Sequence, residues 1–176
     1  CSPQRPNNAR CVYQIIRHQY QSSRGDAVGL FETVLSLAEA VGIDEVLACL
    51  EQCVIEKRLS WFDQNVGVLP RTGCPLTDGY KIFYEEYLRL SIPQHGVIVE
   101  ASDRLLVTRW WNDCLTLVAC QQLGLDTREV CRKVYHRPVQ VLLSRIDPRL
   151  RFDRNYRALR PYTPYCEEII SLAKPD

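Results

Sequence analysis

The chain has no methionine, and none of its nine cysteines belongs to a CxxC pair. Without such pairs, the usual ligand spacing of zinc ribbons and the redox motif of thioredoxin-like proteins are both missing. There is no glycine-rich phosphate loop, HExxH pair or GxSxG elbow, which argues against nucleotide-dependent, zincin and α/β-hydrolase chemistry. An excess of charge of one sign is lacking too: 22 basic against 21 acidic side chains leave a formal net charge of +1. Nucleic acid or an anionic membrane is usually bound by a basic stripe or tail, so no nucleic-acid partner is expected. No apolar run approaches the ~20 residues needed to cross a bilayer. The most apolar stretches, such as 46–55, are interrupted by polar residues, so no membrane span is expected.

What is present is an ordinary globular composition, 46% hydrophobic and 24% charged over 176 residues, enough chain for one useful core. The expectation is a single domain over 1–176. Within it, 1–8 is a loose arm with two prolines, 9–90 is mostly helical and 96–173 carries a sheet. The absent initiator residue implies processing or trimming before Cys1, with a trimmed start the plainer reading and a lipidated Cys1 the other. An odd number of cysteines, in a chain too long and apolar to need a disulfide framework, points to a reducing, cytoplasmic compartment. Most of these thiols read as small buried hydrophobes, including Cys49 and Cys53, which lie within an apolar helical stripe.

Val12, Ile15, Ile16 and Tyr20 stand near helical spacing and predict a helix over 9–21, followed by a break at Ser22–Gly25. Asp26 caps a second helix carrying Leu30, Phe31, Val34 and Leu35, which ends near Gly42. Asp44 caps a third that runs on to Trp61, and after a loop at 67–73 a tyrosine-rich helix covers 78–90. At Gly96 the period changes from 3.6 to 2. Strands are predicted at 96–101 and 104–110, paired as a hairpin. Asn112 or Asp113 then caps a short helix closed by Gly124. The run from Asp126 to Glu129 has capping-box spacing and opens a helix to about Ser144, kinked at Pro138. Two more strands follow at 150–156 and 166–173. The fold class is therefore α+β: N-terminal helices, then a four-stranded antiparallel sheet in β-β-α-α-β-β order. One sheet face packs on helices, and a small-ligand cavity is expected between those layers.

Cys114 is the first candidate for chemistry. It follows a strand in the run Trp110-Trp111-Asn112-Asp113-Cys114 and is expected in the first turn of a helix, where unpaired N–H groups and the helix dipole stabilise a thiolate. The bland alternative is a space-filling cysteine beside Leu117 and Val118. Cys131 lies one turn into the next helix with Tyr135 on its face. His136, about 140° further round from Cys131, reads as solvated, and Cys120 reads as core. The stiff segment Arg160-Pro161-Tyr162-Thr163-Pro164-Tyr165-Cys166 delivers a third thiol to the last strand. Arg160 either grips a substrate carboxylate through its planar fork or pairs with Glu167 or Glu168.

The hairpin leading into Asn112-Asp113-Cys114 is followed by Leu123-Gly124-Leu125, Cys131, the run Ile146–Phe152 and Tyr165-Cys166-Glu167-Glu168. Together these resemble the L-2-amino-thiazoline-4-carboxylic acid hydrolase family over roughly residues 96–172. The order of cysteines also resembles vinyl-reductase-type small-molecule-binding domains, although Leu115 stands where those domains carry a proline. The first resemblance implies hydrolytic opening of a small sulfur- and nitrogen-containing ring, or related work on a carbon–nitrogen bond. It carries over Cys114, Cys131 and Cys166 as site residues, with Asp113 or a histidine moving protons, and the substrate side is assigned to Arg160, Tyr162, Tyr135 and Trp111. Either a cysteine thiolate attacks the ring carbon and no cofactor is needed, or the three cysteines hold a zinc that activates water. The alternatives are a domain that binds a small aromatic or heterocyclic ligand without turning it over, and an interaction surface around Tyr80, Tyr84 and Tyr87.

Overall fold

The Asp26 carboxylate accepts the Gly29 N–H at 2.9 Å, satisfying one of the donors that a helix start leaves open. The helix it caps is one of seven α-helices in the computed structural model, which describes residues 6–22 and 26–173. These are α1 (Pro6–Ser22), α2 (Ala27–Val41), α3 (Ile43–Asn65), α4 (Pro75–Tyr80), α5 (Leu115–Leu123), α6 (Thr127–Val130) and α7 (His136–Ile146). The strands are β1 (Gly96–Ala101), β2 (Leu105–Trp110), β3 (Leu150–Asn155) and β4 (Cys166–Leu172). Wider π-helical turns continue α4 over Lys81–Tyr87 and bridge α6 to α7 over Cys131–Tyr135. The fold is α+β, with helices leading and a four-stranded antiparallel sheet in the C-terminal half.

Several element starts differ from expectation for local reasons. Pro6 to Asn8 open α1 rather than a loose arm; a proline suits the first helical position, where its missing N–H is not needed. Residues 1–5, with Cys1, and the 23–25 part of the break lie outside the described residues. Asp44 sits inside the first turn of α3 rather than capping it. The helix expected from Asp78 begins at Pro75, with Cys74 as its cap residue. In the second half of the chain Asp126 caps α6 by accepting the Arg128 N–H at 2.8 Å. Gly124 closes α5 at φ 68°, the left-handed conformation that favours glycine.

The chain folds into two compact units, one made of residues up to Glu56 with Cys114–Tyr135, the other of Lys57–Asp113 with residues from His136 onward. The first is helical. Leu30, Phe31 and Val34 of α2, and Val46, Leu50, Cys53 and Val54 of α3, recur at helical spacing and bury one face of each helix. Val12 and Ile16 of α1, Ala119 and Cys120 of α5, Val130 of α6 and Val134 complete this core.

The second unit holds the sheet, in the order β1-β2-β4-β3. Leu106, Thr108 and Trp110 of β2 are buried and alternate with partly exposed neighbours, as do Leu150, Phe152 and Arg154 of β3, the period-2 pattern of a half-covered sheet. The buried face packs on Ile82, Phe83 and Tyr84 and on Val139, Leu142, Leu143 and Ile146 of α7. Tyr84 is fully buried and Tyr80 and Tyr87 are packed against the same core. Of the tyrosine-rich interaction surface read from the sequence, Tyr84 is therefore lost to the interior, while Tyr80 and Tyr87 remain partly exposed at its margin. β1 is an edge strand with a bulge between Ile98 and Glu100.

Candidate functional site

Trp110 at the end of β2 pairs with Cys166 at the start of β4. That register sets the exit of one strand beside the entry of the other, so 111–113 leave the sheet next to the 156–165 loop. Arg160, half-buried in this loop, donates through Nη1 to the Asn112 carbonyl at 2.6 Å and through Nε to Cys166 Sγ at 3.5 Å. The expected pairing of Arg160 with Glu167 or Glu168 is corrected, because both carboxylates are taken by side chains opposite them in the sheet. Arg109 Nε donates to Glu167 Oε2 at 2.8 Å, and Asn155 Nδ2 donates to Glu167 Oε1 at 2.9 Å. The Asn155 hydrogen bond, followed by that of Arg109, holds the Glu167 carboxyl below its usual range. Arg109 also lies 4.4 Å over the Tyr165 ring. Trp111 and Tyr162 expose 44% and 50% of their surface, enough for either ring to meet a ligand, and Asp113 is exposed.

The other predicted cysteines belong to the first unit. Cys114 is the cap residue of α5 rather than part of its first turn, and neither Asn112 nor Asp113 takes that place. Its backbone is extended and its sulfur accepts no capping hydrogen bond, so the helix-start donors invoked for a Cys114 thiolate are not turned onto it. Cys131 opens the π-helical turn and is half-buried. Thr116 Oγ1 of α5 donates to the Tyr135 hydroxyl at 3.1 Å, setting the start of α5 against the turn that carries Cys131. Among the described residues, no group of three or more His, Cys, Asp or Glu side chains is placed to hold a metal ion. A shallow hollow of about 330 Å³ in this unit is lined by Asp44, Leu47, Ala48, Glu51 and Lys133, none of them a predicted site residue. Its charges already pair, Lys133 with Asp44 at 2.7 Å.

The remaining thiols divide by burial. Desolvation pushes Cys53 and Cys120 up to about 11 and raises Cys49 as well. Cys74 goes the other way: on an exposed site at the cap of α4, the hydroxyl and N–H dipoles of nearby Thr77 lower its pKa, although its sulfur makes no capping hydrogen bond. Sequence reasoning passed over Cys74, although Cys74-Pro75-Leu76-Thr77 carried the signal, a proline at the first helical position behind a polarisable cap.

Two further findings were not legible in the sequence. His136, expected in solvent, is half-buried; its Nδ1 lies 3.0 Å from the Tyr156 hydroxyl and its ring packs 5.4 Å from Phe152. Beneath the sheet, Tyr84 donates to Glu168 Oε2 at 2.8 Å while Arg154 grips Oε1 through Nε at 3.0 Å and through Nη2. Trp110 Nε1 donates to Thr108 Oγ1, and Thr108 donates to the Glu168 carbonyl. Comparison of the chain with family models, curated proteins and solved structures finds no match.

Proposed function

We propose that the protein is a small-molecule enzyme that opens a sulfur- and nitrogen-containing heterocycle, or breaks a related carbon–nitrogen bond, with a cysteine as nucleophile. The observation that supports this reading is the guanidinium of Arg160 donating to Cys166 Sγ while anchored on the Asn112 carbonyl. The thiolate is the attacking form of a cysteine, and a planar cation held in one orientation is suited to a sulfur or oxygen that carries negative charge. This favours Cys166 over Cys114 for the attack. The resemblance of residues 96–172 to the L-2-amino-thiazoline-4-carboxylic acid hydrolase family supports the same reaction class.

In the proposed reaction the sulfur adds to the electrophilic C=N carbon and the nitrogen takes up a proton. Collapse of the adduct expels an amine, and water then attacks the sulfur-bound carbon and restores the thiol. Asp113, exposed beside Asn112, is the nearest predicted proton carrier in sequence. Trp111 and Tyr162 are apolar surfaces for a flat ring. The experiment is incubation with a panel of five-membered cyclic amidines and thioimidates bearing a carboxylate, followed by mass spectrometry of product and protein. Turnover that falls to background in Cys166→Ala, with a trapped adduct on Cys166 in wild type, is the expected result. Turnover retained in Cys166→Ala and lost in Cys114→Ala would move the nucleophile to Cys114. Ligand binding without turnover would replace the enzyme reading by that of a binding domain.

A further inference from the structure

We infer that His136 is a proton-sensitive latch: the neutral imidazole holds Tyr156 and the turn after β3, and protonation loosens them. The inference rests on a cluster of groups within one unit. His136 opens α7, half-buried, with its ring against Phe152 and its Nδ1 on the Tyr156 hydroxyl. The charged and titratable groups whose fields reach it are Arg154 and Glu168 beneath the sheet, Asp153 on the exposed face of β3, and Tyr156 just beyond. Of these, Glu168 is already bonded to Arg154 and Tyr84. A protonated ring therefore adds positive charge beside a buried guanidinium whose carboxylate is in use. It can also only donate at Nδ1, so any state in which the Tyr156 hydroxyl donates to the ring is abolished.

Tyr156 is well placed to pass this on. The turn it belongs to is held by the Ala158 N–H on the Asn155 carbonyl at 2.9 Å, and the Ala158 carbonyl in turn accepts the Glu167 N–H at 2.9 Å. Glu167 is the residue after Cys166, so a loosened turn changes the backbone beside that thiol. The direction of pH dependence follows from the surroundings. Burial, then Arg154, pushes His136 below its ordinary range. The unfolded chain thus takes up the proton more readily than the folded one. The stability His136 contributes is present above about pH 6.5, the ordinary value, and is lost as pH falls from there through the lowered folded value.

The latch does not depend on the catalytic reading, and its test uses no substrate. Hydrogen exchange of the Ala158 and Glu167 amides is followed from about pH 7.5 to pH 5, corrected for intrinsic rates, in wild type and in His136→Gln, beside an NMR titration of the His136 ring. Wild type should lose protection several-fold as the His136 ring signal titrates, while His136→Gln, which has no proton to gain, keeps a flat profile. Tyr156→Phe, a smaller change, should show reduced protection already at the upper pH. Equal protection across the range in wild type, or the same fall in His136→Gln, overturns the inference. A normal profile in Tyr156→Phe does so too.

Discussion

The Arg154–Glu168 pair offers the sharpest test of how the sheet unit is held together. Both residues are buried, at 9% and 8% exposure, and one carboxylate receives Arg154 on Oε1 and Tyr84 on Oε2. Replacing Glu168 by leucine removes the acceptor from a buried cation and a buried hydroxyl together. Breaking a buried pair from one side costs about 3–5 kcal/mol, because the partner charge is stranded away from water. Removing both charges avoids that penalty, and an apolar pair of similar volume is often neutral or stabilising. Glu168→Leu alone should therefore lose about 3–5 kcal/mol. The Arg154→Met/Glu168→Leu double variant, made with Tyr84→Phe so that no hydroxyl is orphaned, should lose at least ~2 kcal/mol less. Urea unfolding followed by tryptophan fluorescence is a suitable assay, since Trp110 donates to Thr108 in the same cluster. A loss below about 1 kcal/mol for Glu168→Leu, or strictly additive losses, would show that solvent or relaxation compensates the charge and refute the reasoning.

Two further outcomes follow from the thiols and the sheet edge. Iodoacetamide near neutral pH should label Cys74 well before Cys49, Cys53 or Cys120, and Thr77→Val should slow the Cys74 reaction; mass spectrometry of timed samples reads both, and equal rates would disprove the assigned pKa order. Gly96→Ala should cost about 1–3 kcal/mol in thermal or urea unfolding, because a Cβ there would lie 2.5 Å from a Trp110 ring carbon and 2.6 Å from the Arg109 carbonyl; a change within about 0.5 kcal/mol would mean that β1 shifts freely away from β2.

The sequence by itself determined those features whose causes lie within a few residues. The change of period at Gly96 announced the hairpin, Asp26 and Asp126 marked two helix starts, and Gly124 marked a helix end. Cys120 was readable as core because six residues of helix carry it about 120° round from Cys114, and it is fully buried. Only the tertiary structure decided which side chains meet. Arg109 stands opposite Glu167 because β2 pairs with β4 in one register, and Arg154 stands opposite Glu168 because β3 pairs with β4 in another. Neither register is written in the composition of the strands. That choice of partners left Arg160 to the Asn112 carbonyl and Cys166. It also left Tyr84 to a carboxylate 84 residues away. His136 moved from expected solvent to a half-buried place for the same reason: helical spacing says which way a side chain points, but only the packed sheet says whether Phe152 and Tyr156 are waiting there.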